Sequence, residues 1–138
     1  MALLLVATAC TGAVEWQAGV FDEVEITVGE ERLIVAVADT PPKRAGGLTE
    51  VDELPDWLDG MLFVYEEPQS TSFHMLNTPM ALDVWWFDAE GLLIGTTSMK
   101  PCTVEPCLSY ASPGSVMWVL ETPVGDYEFT PGAQLSTG

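Results

Sequence analysis

Positive charge is the scarcest thing in this chain of 138 residues: Arg32, Lys43, Arg44 and Lys100 are its only basic residues, against 21 acidic ones, for a formal net charge of −17. Such a chain repels phosphate backbones and anionic lipids, which excludes nucleic acid as a partner and leaves cations, metal ions and neutral molecules such as sugars. Most of the acidic excess reads as solvated surface. Histidine occurs once, at His74, and cysteine three times, without the spacing of a zinc knuckle. No catalytic-triad signature, metal motif or phosphate-binding glycine loop is recognisable, and no cofactor is implied. No internal repeat is present, and past residue 10 no apolar stretch approaches the length that spans a bilayer.

What is there begins with Met1-Ala2-Leu3-Leu4-Leu5-Val6-Ala7-Thr8-Ala9-Cys10, an apolar run too short to cross a membrane that ends in small residues before a cysteine. That pattern is the end of an export signal with a lipoprotein-type cleavage site. The expectation is a signal peptide over residues 1–9, a lipidated Cys10 heading a tether over residues 10–22, and one domain over residues 23–138. The only membrane association expected is through that lipid. The domain is long enough to bury roughly two-thirds of its unfolded surface, and a hydrophobic content of 48% with five tryptophans supplies a core.

Prolines and glycines divide the rest into short, strand-like segments. Val24-Glu25-Ile26-Thr27-Val28 alternates, and Leu33 to Ala38 follows as a more buried run, so the pair predicts a hairpin through Gly29-Glu30-Glu31. Asp39 to Gly47 reads as one or two helical turns, with Asp39 or Thr40 as N-cap, proline at the first position and glycine at the end. Residues 52–60 are an acidic, loop-like excursion. Strands are expected over Met61–Tyr65, Thr71–Met75, Leu82–Asp88, Leu92–Met99 and Val116–Glu121, with Asp126–Phe129 and Ala133–Leu135 completing the sheet. The sum is an all-β domain, a mostly antiparallel sandwich or squat barrel, with one short helix near residues 40–47.

Polar residues among apolar ones mark where function or structural pinning sits, since each must find partners or cost roughly 1–3 kcal/mol. Ser72 to Asp83 holds the single histidine, Asn77-Thr78-Pro79 and Asp83 just before Val84-Trp85-Trp86-Phe87. On a strand His74 faces away from Phe73 and Met75. Asn77 suits a turn. Asp83, flanked by Leu82 and Val84, is expected to be partly buried and fixed by backbone N–H groups or Lys100, a structural role. Cys102-Thr103-Val104-Glu105-Pro106-Cys107 reads in an exported protein as a disulfide pinning a loop. Copper(I), held by Cys102, Cys107, His74 and Met75 or Met99, is the alternative. Glu105 and Tyr110 share that region, and with His74 and Asn77 they are the expected lining of a ligand groove.

The ordered segments Asp39-Thr40-Pro41, Arg44-Ala45-Gly46-Gly47-Leu48, Gly60-Met61-Leu62-Phe63-Val64-Tyr65, Phe73-His74-Met75-Leu76-Asn77-Thr78, Leu82-Asp83, Phe87-Asp88 and Met99 to Cys107 with Tyr110 resemble domain-of-unknown-function family 192, also called uncharacterised protein family 0127. The resemblance runs from Val24 to Leu135. It implies a compact bacterial or archaeal β domain, often secreted or lipid-anchored, of no established activity. The family usually carries an aromatic residue where His74 stands, a lysine where Leu76 stands and a methionine where Thr49 stands, and a longer segment after Leu120. A role for that lysine would not transfer to this chain.

Two classes of function follow. The first is a non-enzymatic exported lipoprotein whose β domain binds a small molecule, a carbohydrate or a protein at the cell envelope. The second is a small hydrolase or carbohydrate-acting enzyme that uses Asp83 and Glu105 as a carboxylate pair with Asn77 orienting the substrate. The export reading has a direct check: Cys10→Ala should release the protein from the membrane fraction, and unchanged sedimentation with membranes would refute lipid attachment at this residue.

Overall fold

The computed structural model describes Trp16 and residues 19–138. The expected signal segment and Cys10 lie outside the described residues. Nine strands and one helix follow in the order β1 (Asp22–Val28), β2 (Glu31–Ala38), α1 (Pro41–Gly46), β3 (Gly60–Gln69), β4 (Ser72–Phe73), β5 (Leu82–Phe87), β6 (Leu93–Met99), β7 (Tyr110–Ala111), β8 (Val116–Pro123) and β9 (Leu135–Ser136). Seven of the strands form one sheet in the order β6-β5-β8-β3-β2-β1-β9, and β4 pairs separately with β7. The chain is an all-β protein whose main sheet curls into a half-barrel.

Local signals set the hairpins. In β1–β2 every residue from Asp22↔Val37 to Val28↔Glu31 is paired, and Gly29, at φ 58°, makes the turn in a conformation that only glycine adopts freely. The β5–β6 hairpin pairs Leu82↔Met99 through Phe87↔Leu93. Its turn is fixed by the Asp88 carboxylate, which accepts from the N–H groups of Glu90 and Leu92. One pairing departs from an antiparallel meander: β2 and β3 run parallel, from Val35↔Gly60 to Ala38↔Phe63. A parallel pair needs a crossover, and residues 39–59 supply it, α1 included. Two expected strands shrink. Only Ser72–Phe73 of the 71–75 stretch is paired, and residues 126–129 form no strand. Their alternation serves packing instead, with Phe129 buried edge-on against Trp85 at 4.6 Å.

Strands β3, β5 and β8 are covered on both sides, so neighbouring residues serve two cores. Ala36, Met61, Phe63, Val84, Trp86 and Val119 belong to one, with Leu48, Val51, Leu54 and Leu58 of the crossover laid over them. Val35, Leu62, Trp85, Phe87 and Leu120 belong to the other. The second core also takes Ile26, Leu93 and Leu135 from opposite ends of the strand order, so it is the inside of the curl. Main-chain bonds join the two edges: Leu93 N–H to Ala133 O, Gly132 N–H to Leu93 O and Leu135 N–H to Gly91 O, at 2.8–3.0 Å. Trp16 and Phe21, within the stretch expected as tether, stack at 5.5 Å and pack against the outer core.

Asp83 shows how the sheet tolerates a buried carboxylate. It is only 8% exposed. Its Oδ1 accepts from Ser98 Oγ on β6 at 2.6 Å and its Oδ2 from the Gly125 N–H after β8 at 2.9 Å, so one side chain ties β5 to β6 and to the turn at Gly125. Lys100 takes no part: among the described residues the ion pair within 4 Å is Lys43–Asp39. Because removing the carboxylate strands two donors, Asp83→Ala should destabilise by roughly 1–3 kcal/mol, read as a lower thermal or denaturant midpoint. Asp83→Asn keeps one acceptor oxygen and should lose less. Unchanged midpoints in both variants would refute the pinning role.

Candidate functional site

The outer face of the sheet is not covered everywhere. Between the C-terminal end of α1, strands β3 and β4, the residues His74, Met75 and Thr78, and β8 lies a cavity of about 250 Å³. Helix α1 borders it for reasons of sequence. Thr40 Oγ1 accepts from the Lys43 N–H at 3.4 Å, prolines occupy the first turn, and the Gly47 N–H closes the helix on Lys43 O. Gly47 has φ 48°, and a Cβ there would come within 3.3 Å of the Phe63 ring. Only glycine therefore lets the helix end press onto β3. Arg44, in the last turn, donates from Nη1 to Val64 O at 2.9 Å, one residue beyond the last β2–β3 pair. Its guanidinium carbon stands 5.1 Å from the centre of the Tyr65 ring, a cation–π arrangement.

Aromatic rings form much of the remaining wall. Phe73 meets Phe63 edge-on at 4.9 Å and, behind the wall, Trp86 of the core at 5.5 Å. The Tyr65 hydroxyl and Thr71 Oγ1 are 3.4 Å apart. Burial raises the Tyr65 pKa; the Thr71 hydrogen bond and the Arg44 charge oppose the shift, and the Glu121 charge adds to it.

Glu121 is the unusual member of this set. It lies on β8, paired with Met61 and Val84, is 5% exposed and lines the cavity. The strands close tightly beside it, since a Cβ on Gly60 would fall 2.2 Å from the Glu121 carbonyl oxygen. Unlike Asp83, its carboxyl makes no hydrogen bond or ion pair with any described residue. Burial alone pushes its pKa from 4.5 up to about 8, because a carboxylate stripped of water with nothing in exchange prefers to hold its proton.

The sequence-expected groove residues are dispersed relative to this cavity. His74 lines it, with Nδ1 accepting from the Leu76 N–H at 3.3 Å. Asn77, Glu105 and Tyr110 are not on its wall. Asn77 is exposed and takes the left-handed conformation at φ 57°; its main chain bonds to Cys102 O and to the Glu50 N–H, so it serves as a turn residue. Glu105 is exposed in the loop closed by the Cys102–Cys107 disulfide, whose Cα atoms are 5.9 Å apart. The bridge uses both thiols that the copper alternative required. Tyr110 pairs with Phe73, and its hydroxyl accepts from the Lys100 N–H at 3.2 Å.

Sequence reading missed Glu121, Arg44 and Tyr65. The signal for Glu121 was present: a lone carboxylate directly after the apolar run Val116-Met117-Trp118-Val119-Leu120.

The raised pKa of Glu121 fixes a stability slope. Below about pH 4.5 the carboxyl is protonated in the folded and unfolded chain alike. Between 4.5 and about 8 the folded chain keeps a proton that the unfolded chain releases, so this group's contribution to stability falls as pH rises through that window and is flat above it. Glu121→Gln cannot titrate. The melting temperature of the wild type relative to Glu121→Gln should therefore decline steadily from pH 5 to pH 8. A constant difference would show that the carboxyl is solvated in the folded state.

With this geometry in place, comparison with known proteins gives the fold and little else. The model of family DUF192, described as an uncharacterized ACR, matches residues 24–136. A search of curated proteins finds no match. A Sinorhizobium meliloti protein described provisionally as a transcription regulator is 22% identical, with a TM-score of 0.74 over 84% of this chain and 94% of that one. A Novosphingobium aromaticivorans protein of unknown function is also 22% identical, with a TM-score of 0.75 over 89% of this chain and 91% of that one. At that identity the two structures share the fold alone. The match to the family model covers most of the sequence, and the chain belongs to domain-of-unknown-function family 192.

Proposed function

We infer that this chain is a non-enzymatic β domain that binds a small molecule in the cavity beside Glu121, and that it works outside the cytoplasm, held to the membrane by a lipid on Cys10. One observation carries the binding reading: a carboxyl 5% exposed, on the wall of a cavity, that nothing in the described protein satisfies. Buried polar groups without partners are rare because each one costs stability. The Glu121 carboxyl opens onto the cavity, where a partner from outside the chain can complete it. At about 250 Å³ the cavity is smaller than the roughly 300–1,000 Å³ of drug-sized sites, so the ligand is small. Aromatic walls with a few convergent polar groups are the usual make-up of such sites.

Support for the location is of another kind. The apolar run ending at Cys10 has the form of a lipoprotein signal, and disulfides such as Cys102–Cys107 persist mainly outside the reducing cytoplasm. The hydrolase reading built on Asp83 and Glu105 gains nothing from the geometry. Both Asp83 oxygens are already engaged, and Glu105 stands exposed on the disulfide loop.

Amide chemical shifts test the site. Benzylamine, benzyl alcohol and benzoate, added separately to isotope-labelled protein, sample cationic, neutral and anionic forms of one small body. At least one should move the amides of Gly46, Gly47, Ser72, Phe73 and His74 in a saturable way. No saturable shift at these amides with any of the three would overturn the binding reading.

A further inference from the structure

We propose that the cavity selects a small organic cation, a primary amine on an apolar or aromatic body, whose ammonium pairs with the Glu121 carboxylate; this rests on the reading of the cavity as a ligand site. The argument starts from what each charged group already has. Arg44 is the cation on the wall, yet its guanidinium is committed to Val64 O and to the face of Tyr65. It makes no ion pair with Glu121 within 4 Å. Of the other groups facing Glu121, Tyr65 on β3 shares its hydroxyl with Thr71, and His74, following β4, uses Nδ1 to accept from Leu76. The strand neighbours of Glu121, Met61 and Val84, carry no charge. Among the described residues of the cavity wall, the Glu121 carboxyl is the charged group without a partner.

Three physical terms favour a cation over a neutral or anionic partner. A charge-assisted bond from an ammonium to a carboxylate is about twice as strong as a neutral one, and it replaces the hydration that burial has removed. The rings of Phe63 and Phe73 offer a lining on which an amine's apolar body packs, and aromatic faces attract cations, as Arg44 over Tyr65 already displays. Finally, a chain of net charge −17 concentrates cations near its surface and repels carboxylates and phosphates before they reach the site.

Proton balance distinguishes this ligand class from the others. In the free protein Glu121 holds a proton up to about pH 8. An ammonium ligand binds the ionised form, so below that pH each binding event expels one proton to solvent, and affinity rises by about tenfold per pH unit until the carboxyl is ionised without help. A ligand that accepts a hydrogen bond from the neutral acid has the opposite sign and weakens as pH rises through the same region.

The experiment is calorimetric titration of the folded chain with benzylamine, benzyl alcohol and benzoate between pH 6 and pH 9, repeated in buffers of different ionisation enthalpy. Benzylamine should bind tightest, strengthening close to tenfold per unit below about pH 8, with about one proton released per ligand. Glu121→Gln should weaken it at least about tenfold at pH 8 and abolish the slope. His74→Gln, which removes the cavity's imidazole, should keep the slope, so a slope that survives belongs to Glu121. If benzyl alcohol or benzoate binds in the cavity and benzylamine does not, or if benzylamine binds without proton release, the cationic assignment is overturned while the site stands. If none of the three shifts the cavity amides, the assignment and the site fall together.

Discussion

The parallel alignment of β2 with β3 is the constraint on which the rest of this structure depends. Two parallel neighbours cannot be joined by a tight turn, so the chain leaves β2 at Ala38, crosses the outer face of the sheet and re-enters at Gly60. The crossover deposits α1 at one place on that face and Leu48, Val51, Leu54 and Leu58 at another. Those four leucine and valine side chains turn an exposed sheet surface into the outer core. The helix is placed where Gly47 can touch Phe63 and Arg44 can reach Val64 and Tyr65. The cavity is the gap between this crossover, the 72–78 segment and β8, and without the parallel pair it would have no wall on the helix side.

Much of this was legible in the sequence wherever short-range chemistry decides it. Thr40-Pro41-Pro42 with Gly47 specifies a short capped helix and Gly29 the first hairpin; the Asp88 carboxylate that closes the second read in the sequence only as the end of its strand. Sheet order was not legible, because β2 alternates in the same way whether β3 lies parallel to it or antiparallel. The 126–129 segment misled for a related reason. Alternation of Tyr127 and Phe129 describes which way side chains point, and packing against Trp85 satisfies that pattern without any partner strand.

The site was harder to read. His74 stood out by being the chain's lone histidine and does reach the cavity. Asn77 stood out by polarity but serves the turn. Asp83 lies between Leu82 and Val84 and Glu121 follows the apolar run that ends at Leu120, and both carboxylates are buried. What separates them is whether a donor waits nearby: Ser98 and Gly125 meet Asp83, while nothing described meets Glu121. That depends on register between strands distant in sequence, which no local pattern records.

The main-chain bonds that join Leu93 and Gly91 to residues 132–135 have a consequence for the behaviour of the chain in solution. Strands β6 and β9 are the outermost of the sheet, and bare outer strands are templates on which other copies add by backbone pairing. Here the final segment caps one such template with the other. A chain ending before Pro131 would keep both central layers yet carry two open ladders, and its characteristic failure would be self-association into oligomers or fibres rather than simple unfolding.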